Sequence, residues 1–116
     1  INPDESLSIS RHEIKCTLED IVEVSKYLLK DRGKLYLVHR PHRLVDIIWT
    51  MRKHGLEPKS IRFVQPKIGE KPNLLLLEGV KGGNTELKFE KPFIVYEDNG
   101  KYTDEIYEIY GITKEN

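Results

Sequence analysis

Four consecutive leucines, Leu74, Leu75, Leu76 and Leu77, constrain the fold of this chain more than any other feature. Residues 73–80 around them are too short for a typical helix and read as a strand. So apolar a strand is expected where both faces of a sheet are covered. Gly82 and Gly83 end it. The preceding loop, residues 66–72, is rich in Lys, Gly and Pro and too short for a parallel crossover. The leucine strand therefore runs antiparallel to its predecessor, residues 59–65. There Ile61 and Phe63 alternate with Arg62 and Val64, the pattern of a strand nearer an edge.

Upstream, the spacing predicts two helices around a third strand. Thr17 and Asp20 form a capping-box start, and Glu19 with Asp20 suits the positive end of a helix dipole. Leu18, Ile21, Val22, Ser25, Leu28 and Leu29 then make one helical stripe, with Gly33 placed to end it. Residues 34–39 (KLYLVH) are a short β-prone run, apolar at the centre, that suits a strand buried on both faces. Arg40-Pro41 breaks it. A second helix is expected over 42–54, with Leu44, Ile47, Ile48 and Met51 as its stripe and Gly55 as its stop.

A strand–helix–strand unit of this kind is parallel and right-handed. With the leucine strand ranked as interior, it must lie antiparallel between the other two. One edge of the strand over 34–39 is then open, and its apolar residues call for more sheet beyond it. Further on, Asp98-Asn99-Gly100 between residues 93–96 and 101–102 signals a hairpin, and Thr103 is placed to cap a last short helix through Tyr110, ended by Gly111.

Composition excludes several classes. The 116 residues have a formal net charge of +0, so the chain lacks the field of a free-standing nucleic-acid binder. Cys16 is the sole cysteine, which rules out an internal disulfide or multi-cysteine zinc site and reads as a partly buried, inert thiol. No apolar run approaches the ~20 residues that span a bilayer, and no signal segment opens the chain, so the expected location is cytoplasmic, with no membrane partner. The chain opens Ile1-Asn2-Pro3 and its only methionine is Met51, so it is expected to be a piece of a longer protein.

The residues carry a resemblance. Residues 11–21 (RHEIKCTLEDI), then Leu37-Val38-His39-Arg40-Pro41 with Arg43-Leu44, residues 73–78, and Ile94-Val95-Tyr96 to Gly100-Lys101-Tyr102-Thr103 resemble the bacterial tRNA(Val) adenine-N6 methyltransferase family. Arg11-His12-Glu13-Ile14 and His39-Arg40-Pro41 are the most specific parts. The resemblance implies an α/β fold, the C-terminal portion of a class I methyltransferase (Rossmann-like) sheet. It would comprise a parallel strand-helix-strand unit, an inserted antiparallel strand and a C-terminal hairpin. Residues 1–16 become the loop after the catalytic motif, 17–82 the helix-strand-helix-strand-strand body, and 83–116 the hairpin and terminal helix, all one part-domain. It also implies S-adenosylmethionine as cofactor and tRNA as substrate. The family's glycine loop, ribose-binding acid and Asn-Pro-Pro-Tyr motif are absent, so no catalytic or cofactor-binding residue is expected in this chain. Asn2-Pro3 is followed by neither a second proline nor an aromatic ring, and the motif is expected upstream of Ile1. The chain alone is expected to be inactive.

The candidate substrate-binding residues are Arg11, His12, Arg40 and Arg43. Arg11 would hold a tRNA phosphate and His12 would touch a flipped nucleotide, or both would merely fix the segment to the body. Arg40 and Arg43 fall at the carboxyl end of a parallel strand, where open α/β sheets hold ligands. They either meet RNA phosphates or pair with acids such as Asp46. His39 and His42 lack a third ligand at zinc-like spacing. Lys67, Lys71, Lys81, Lys88 and Lys91 supply diffuse attraction to tRNA or a solvated surface, Tyr27 and Trp49 are expected to cover apolar surface, and Tyr102, Tyr107 and Tyr110 stack on bases or fasten the C-terminal segment. Two rival functions stand: the same fold methylating a protein side chain or small molecule, and a non-enzymatic domain that dimerises through the open strand edge. Either way, the partners expected are the missing N-terminal half or a second copy at that edge.

Overall fold

In a computed structural model, residues 16–110 are described. Helix α1 (Leu18–Leu28) leads to strand β1 (Lys34–His39), and a single 3-10 turn (Pro41–Arg43) opens helix α2 (Leu44–Lys53). Strands β2 (Leu56–Gln65), β3 (Leu74–Lys81), β4 (Lys88–Phe89) and β5 (Phe93–Ile94) follow, then helix α3 (Asp104–Tyr110). The sheet order is β1-β3-β2-β4, with β5 also paired to β2. β3 is antiparallel to both β1 and β2, so the leucine strand is inserted between two parallel strands as its short approach loop requires. The result is an α/β fold with a mixed sheet.

Local chemistry accounts for the elements. Thr17 closes a capping box: its hydroxyl accepts from Asp20 N at 3.1 Å while the Asp20 carboxylate accepts from Thr17 N at 3.0 Å. Val22, Ile47, Met51, Leu56, Ile61, Leu75 and Leu77 are the buried core, one face of the sheet under α1 and α2. Gly79 lies beneath Met51, whose methyl occupies the space where a Cβ would stand.

Several expectations are corrected. β2 begins at Leu56, earlier than its alternation suggests. A bulge between Pro58 and Ser60 inserts one residue, so buried Leu56 and Pro58 share a face with buried Ile61. β2 does lie nearer an edge than β3, with only the two-residue strands β4 and β5 paired in parallel along its far side. The left-handed residue before β1 is Arg32 (φ 69°), not Gly33. Gly33 is needed for a different reason, since a Cβ there would come within 2.8 Å of the Lys30 carbonyl. Cys16 is exposed. The C-terminal hairpin is minimal: one bridge, Tyr96 to Tyr102, around a turn with Gly100 at φ 84°.

Covering of the second sheet face is the largest departure. Leu75 and Leu77 are buried, but Leu76 points the other way and is exposed. On β1, Tyr36 is 68% and Val38 61% exposed, against the expectation of a strand buried on both faces. Among the described residues, α3 is the only helix on this side. It sits towards β2, held by Ile106, 8% exposed, and by Arg62 Nη1 donating to Glu105 Oε2 at 3.1 Å. Among the described residues nothing pairs with the other edge of β1. No described helix is long and apolar enough to cross a membrane.

Candidate functional site

β1 and β2 run parallel, so their carboxyl ends lie at one end of the sheet, together with the start of β3. Pro41, in the first turn after β1, has a fixed φ and no N–H to satisfy, which suits an abrupt strand-to-helix exit. Arg40 N donates to His39 Nδ1 at 2.8 Å, and the Arg40 guanidinium reaches the Asn73 carbonyl at 3.5 Å, spanning from the exit of β1 to the approach to β3. Arg43 Nε donates to Asp46 Oδ2 at 2.9 Å. Both side chains of that ion pair are exposed, so it contributes at most ~1 kcal/mol and can give way to a phosphate.

Loop 66–72 carries Lys67 and Lys71 to the same end. Its two ends are held together by Asn73 N donating to the Val64 carbonyl at 2.9 Å, and Gln65 Nε2 donates to the Glu70 carbonyl at 2.8 Å. Tyr96 N donates to the Pro66 carbonyl at 2.7 Å, which brings an aromatic pair alongside. The rings of Tyr96 and Tyr102 stack with centroids 5.3 Å apart, and Tyr107 meets Tyr102 edge-on at 6.3 Å. The structure thus gathers Arg40, Arg43, Lys67 and Lys71 with half-exposed tyrosines at the end of the sheet where α/β folds hold ligands. Arg11 and His12 lie outside the described residues.

The other lysines separate from this cluster. Lys81 Nζ donates to the carbonyls of Lys26 and Leu29, each at 2.7 Å, satisfying the C-terminal end of α1. Lys88 pairs with Glu90. Trp49 is 62% exposed, with Lys53 Nζ 4.9 Å above its ring, and Tyr27 is also exposed. A polar clasp with no clear sequence signal joins α1 to α2. Glu19 Oε1 receives Lys53 Nζ and His54 Nε2, both at 2.9 Å. Those bonds, from His54 foremost and then Lys53, hold the Glu19 carboxyl below its ordinary range. Where α2 turns into β2, the Arg52 guanidinium is pushed up by its paired bonds to Glu57. Among the described residues no group of His, Cys, Asp and Glu is arranged to hold a metal ion.

No protein-family model and no curated protein matches the sequence. A solved structure does match: a predicted O-methyltransferase, protein Atu636 from Agrobacterium tumefaciens, with a TM-score of 0.71 and 23% sequence identity. The likeness covers 85% of this chain and 49% of that one, so the chain spans about half the length of its structural neighbour. The chain thus shares the fold of about half of that protein.

Proposed function

We propose that this chain is the C-terminal part of an S-adenosylmethionine-dependent methyltransferase whose substrate is the N6 amine of an adenine in tRNA. The observation that carries the reading is the cluster of Arg40, Arg43, Lys67 and Lys71 at the ligand end of a methyltransferase sheet. A polyanion with exposed bases suits cations set beside exposed aromatic rings. A small acceptor has no need of charges spread over two separate segments. The residues that resemble the tRNA-modifying family, 37–41, 43–44, 73–78 and 94–103, contribute to the same end.

The described residues do not fit the cofactor. A phosphate- or ribose-holding loop needs glycines between a strand and a helix N-terminus. Here Cys16-Thr17 precedes α1 and Arg40 to Arg43 precede α2, with no glycine in either segment. Gly33 and Gly55 follow helices instead, and Gly82 N is bonded to the Gly55 carbonyl at 3.0 Å. This chain's residues therefore bind and orient the RNA, while methyl donation belongs to sequence outside it. The chain alone is inactive in this account.

Nucleoside mass spectrometry of tRNA from cells with and without the parent gene tests the reading. Loss of N6-methyladenosine from a tRNA in the deletion strain is the expected result. An unchanged tRNA profile, with loss of methylation on a protein or small molecule, would transfer the assignment to the rival substrate classes.

A further inference from the structure

Ile68 stands where neither packing nor turn chemistry calls for it. Glu70 N donates to the Lys67 carbonyl at 3.2 Å and Gly69 has φ 84°, so residues 67–70 form a type II turn with Ile68 at its first corner. That corner accepts most residues and favours proline. Ile68 is 81% exposed, so its side chain adds almost nothing to the core. The turn itself is well held. Gln65 Nε2 donates to the Glu70 carbonyl at 2.8 Å, Asn73 N closes the loop onto the Val64 carbonyl at 2.9 Å, and Pro66 and Pro72 restrict its two limbs. A stiff, β-branched side chain is thus presented on a fixed tip. The surroundings of that tip are cationic. Lys67 and Lys71 flank it and form no ion pair among the described residues, with Glu70 the acid between them. The bond from Tyr96 N to the Pro66 carbonyl puts the Tyr96–Tyr102 stack at the base of the same loop.

We infer that Ile68 is a wedge, which enters a base step of the RNA while Lys67 and Lys71 hold phosphates on either side, and so opens the stack beside the adenine that is methylated. The inference rests on the tRNA reading above and adds to it the side chain that parts the stack. Branched apolar residues at nucleic-acid interfaces insert between bases and unstack them, and a base must leave its stack before its amine can be methylated. A rigid tip suits this task, because a flexible one would lose its order on entering the stack. Other occupants fit less well. One isoleucine has too little apolar area to anchor a chain on a bilayer. A protein partner is held by a cluster of apolar side chains at the contact, whereas the sequence neighbours of Ile68 are Lys67 and Gly69.

Binding of unmodified tRNA to the full gene product, measured over a series of salt concentrations, tests the wedge. A second preparation of the tRNA has 2-aminopurine at the methylated adenine, where its fluorescence rises on unstacking. Ile68→Ala should weaken binding about tenfold with the salt slope unchanged, and should abolish the fluorescence rise. Ile68→Leu should keep both. Lys67→Ala should lower the salt slope by about one and keep the rise. Because Ile68 is exposed, thermal unfolding of Ile68→Ala should match that of the unsubstituted protein, so a loss of binding is not a loss of fold. Unchanged affinity and an unchanged fluorescence rise in Ile68→Ala would overturn the wedge and leave the substrate reading standing. So would a defect of Ile68→Ala seen only in sedimentation with vesicles of anionic lipid, which would make a bilayer the occupant. A full product that binds no tRNA would remove the substrate reading itself, and the wedge with it.

Discussion

Replacing Gly79 with alanine should change sign with the residue above it. Gly79 sits in β3 opposite Leu35 and Pro58, its φ is not positive, and Met51 packs its methyl group into the place of the missing Cβ. Met51 is fully enclosed, so its tip cannot swing into solvent. Gly79→Ala therefore overpacks the core, which typically costs about 1–3 kcal/mol. Removing a glycine from a strand returns roughly 0.5–1 kcal/mol of chain entropy. The net expected loss is about 0.5–2 kcal/mol. Met51→Ala alone should cost about 2–5 kcal/mol through the cavity it leaves. In that background the alanine methyl meets vacated space, keeps the entropy gain and buries a carbon worth about 0.8 kcal/mol. Gly79→Ala should then stabilise by about 1–2 kcal/mol. Urea unfolding followed by far-UV circular dichroism, with m-values checked for constancy, measures all four proteins. An effect of Gly79→Ala of the same sign and within ~0.5 kcal/mol in both backgrounds would refute the packing argument.

Thr17→Ala removes the hydroxyl that accepts from Asp20 N, while the backbone N–H of residue 17 keeps its bond to the Asp20 carboxylate, and should cost about 1 kcal/mol of stability, read from the same unfolding curves. The Glu19 carboxyl is held below its ordinary range in the folded chain, so the clasp contributes stability above the unfolded value and loses it as pH falls through the folded one. Glu19→Gln should flatten the acid limb of a stability–pH profile. Ile106→Ala should release α3, at about 2 kcal/mol for the docking of that helix. Proteolysis within 104–110 would then rise while protection of β3 amides is kept.

The central topology was legible because few arrangements satisfy it. A loop of residues 66–72 cannot cross over, and Leu75 and Leu77 need cover, so β3 had to fall between β1 and β2. The capping box at Thr17 was equally plain, since its geometry is local. The start of β2 was hidden because Pro58 and the bulge at Lys59 break a period-two pattern that resumes only at Ile61. β4 and β5, two residues each, are too short to show any period. At the candidate site, Arg40 and Arg43 could be placed from the strand end alone. Their grouping with Lys67, Lys71 and the Tyr96–Tyr102 stack depends on bonds between segments far apart in sequence. The apolar residues of β1 signal that Tyr36 and Val38 are meant to be covered, but sequence does not say by what.

Methyl transfer by the two lengths of polypeptide tests the central claim most directly. Tritiated S-adenosylmethionine and unmodified tRNA are incubated with the full gene product and, separately, with residues 1–116. The account predicts labelled tRNA from the full product and none above background from the shorter chain. Robust labelling by residues 1–116 alone would show that the cofactor site lies within them and contradict it.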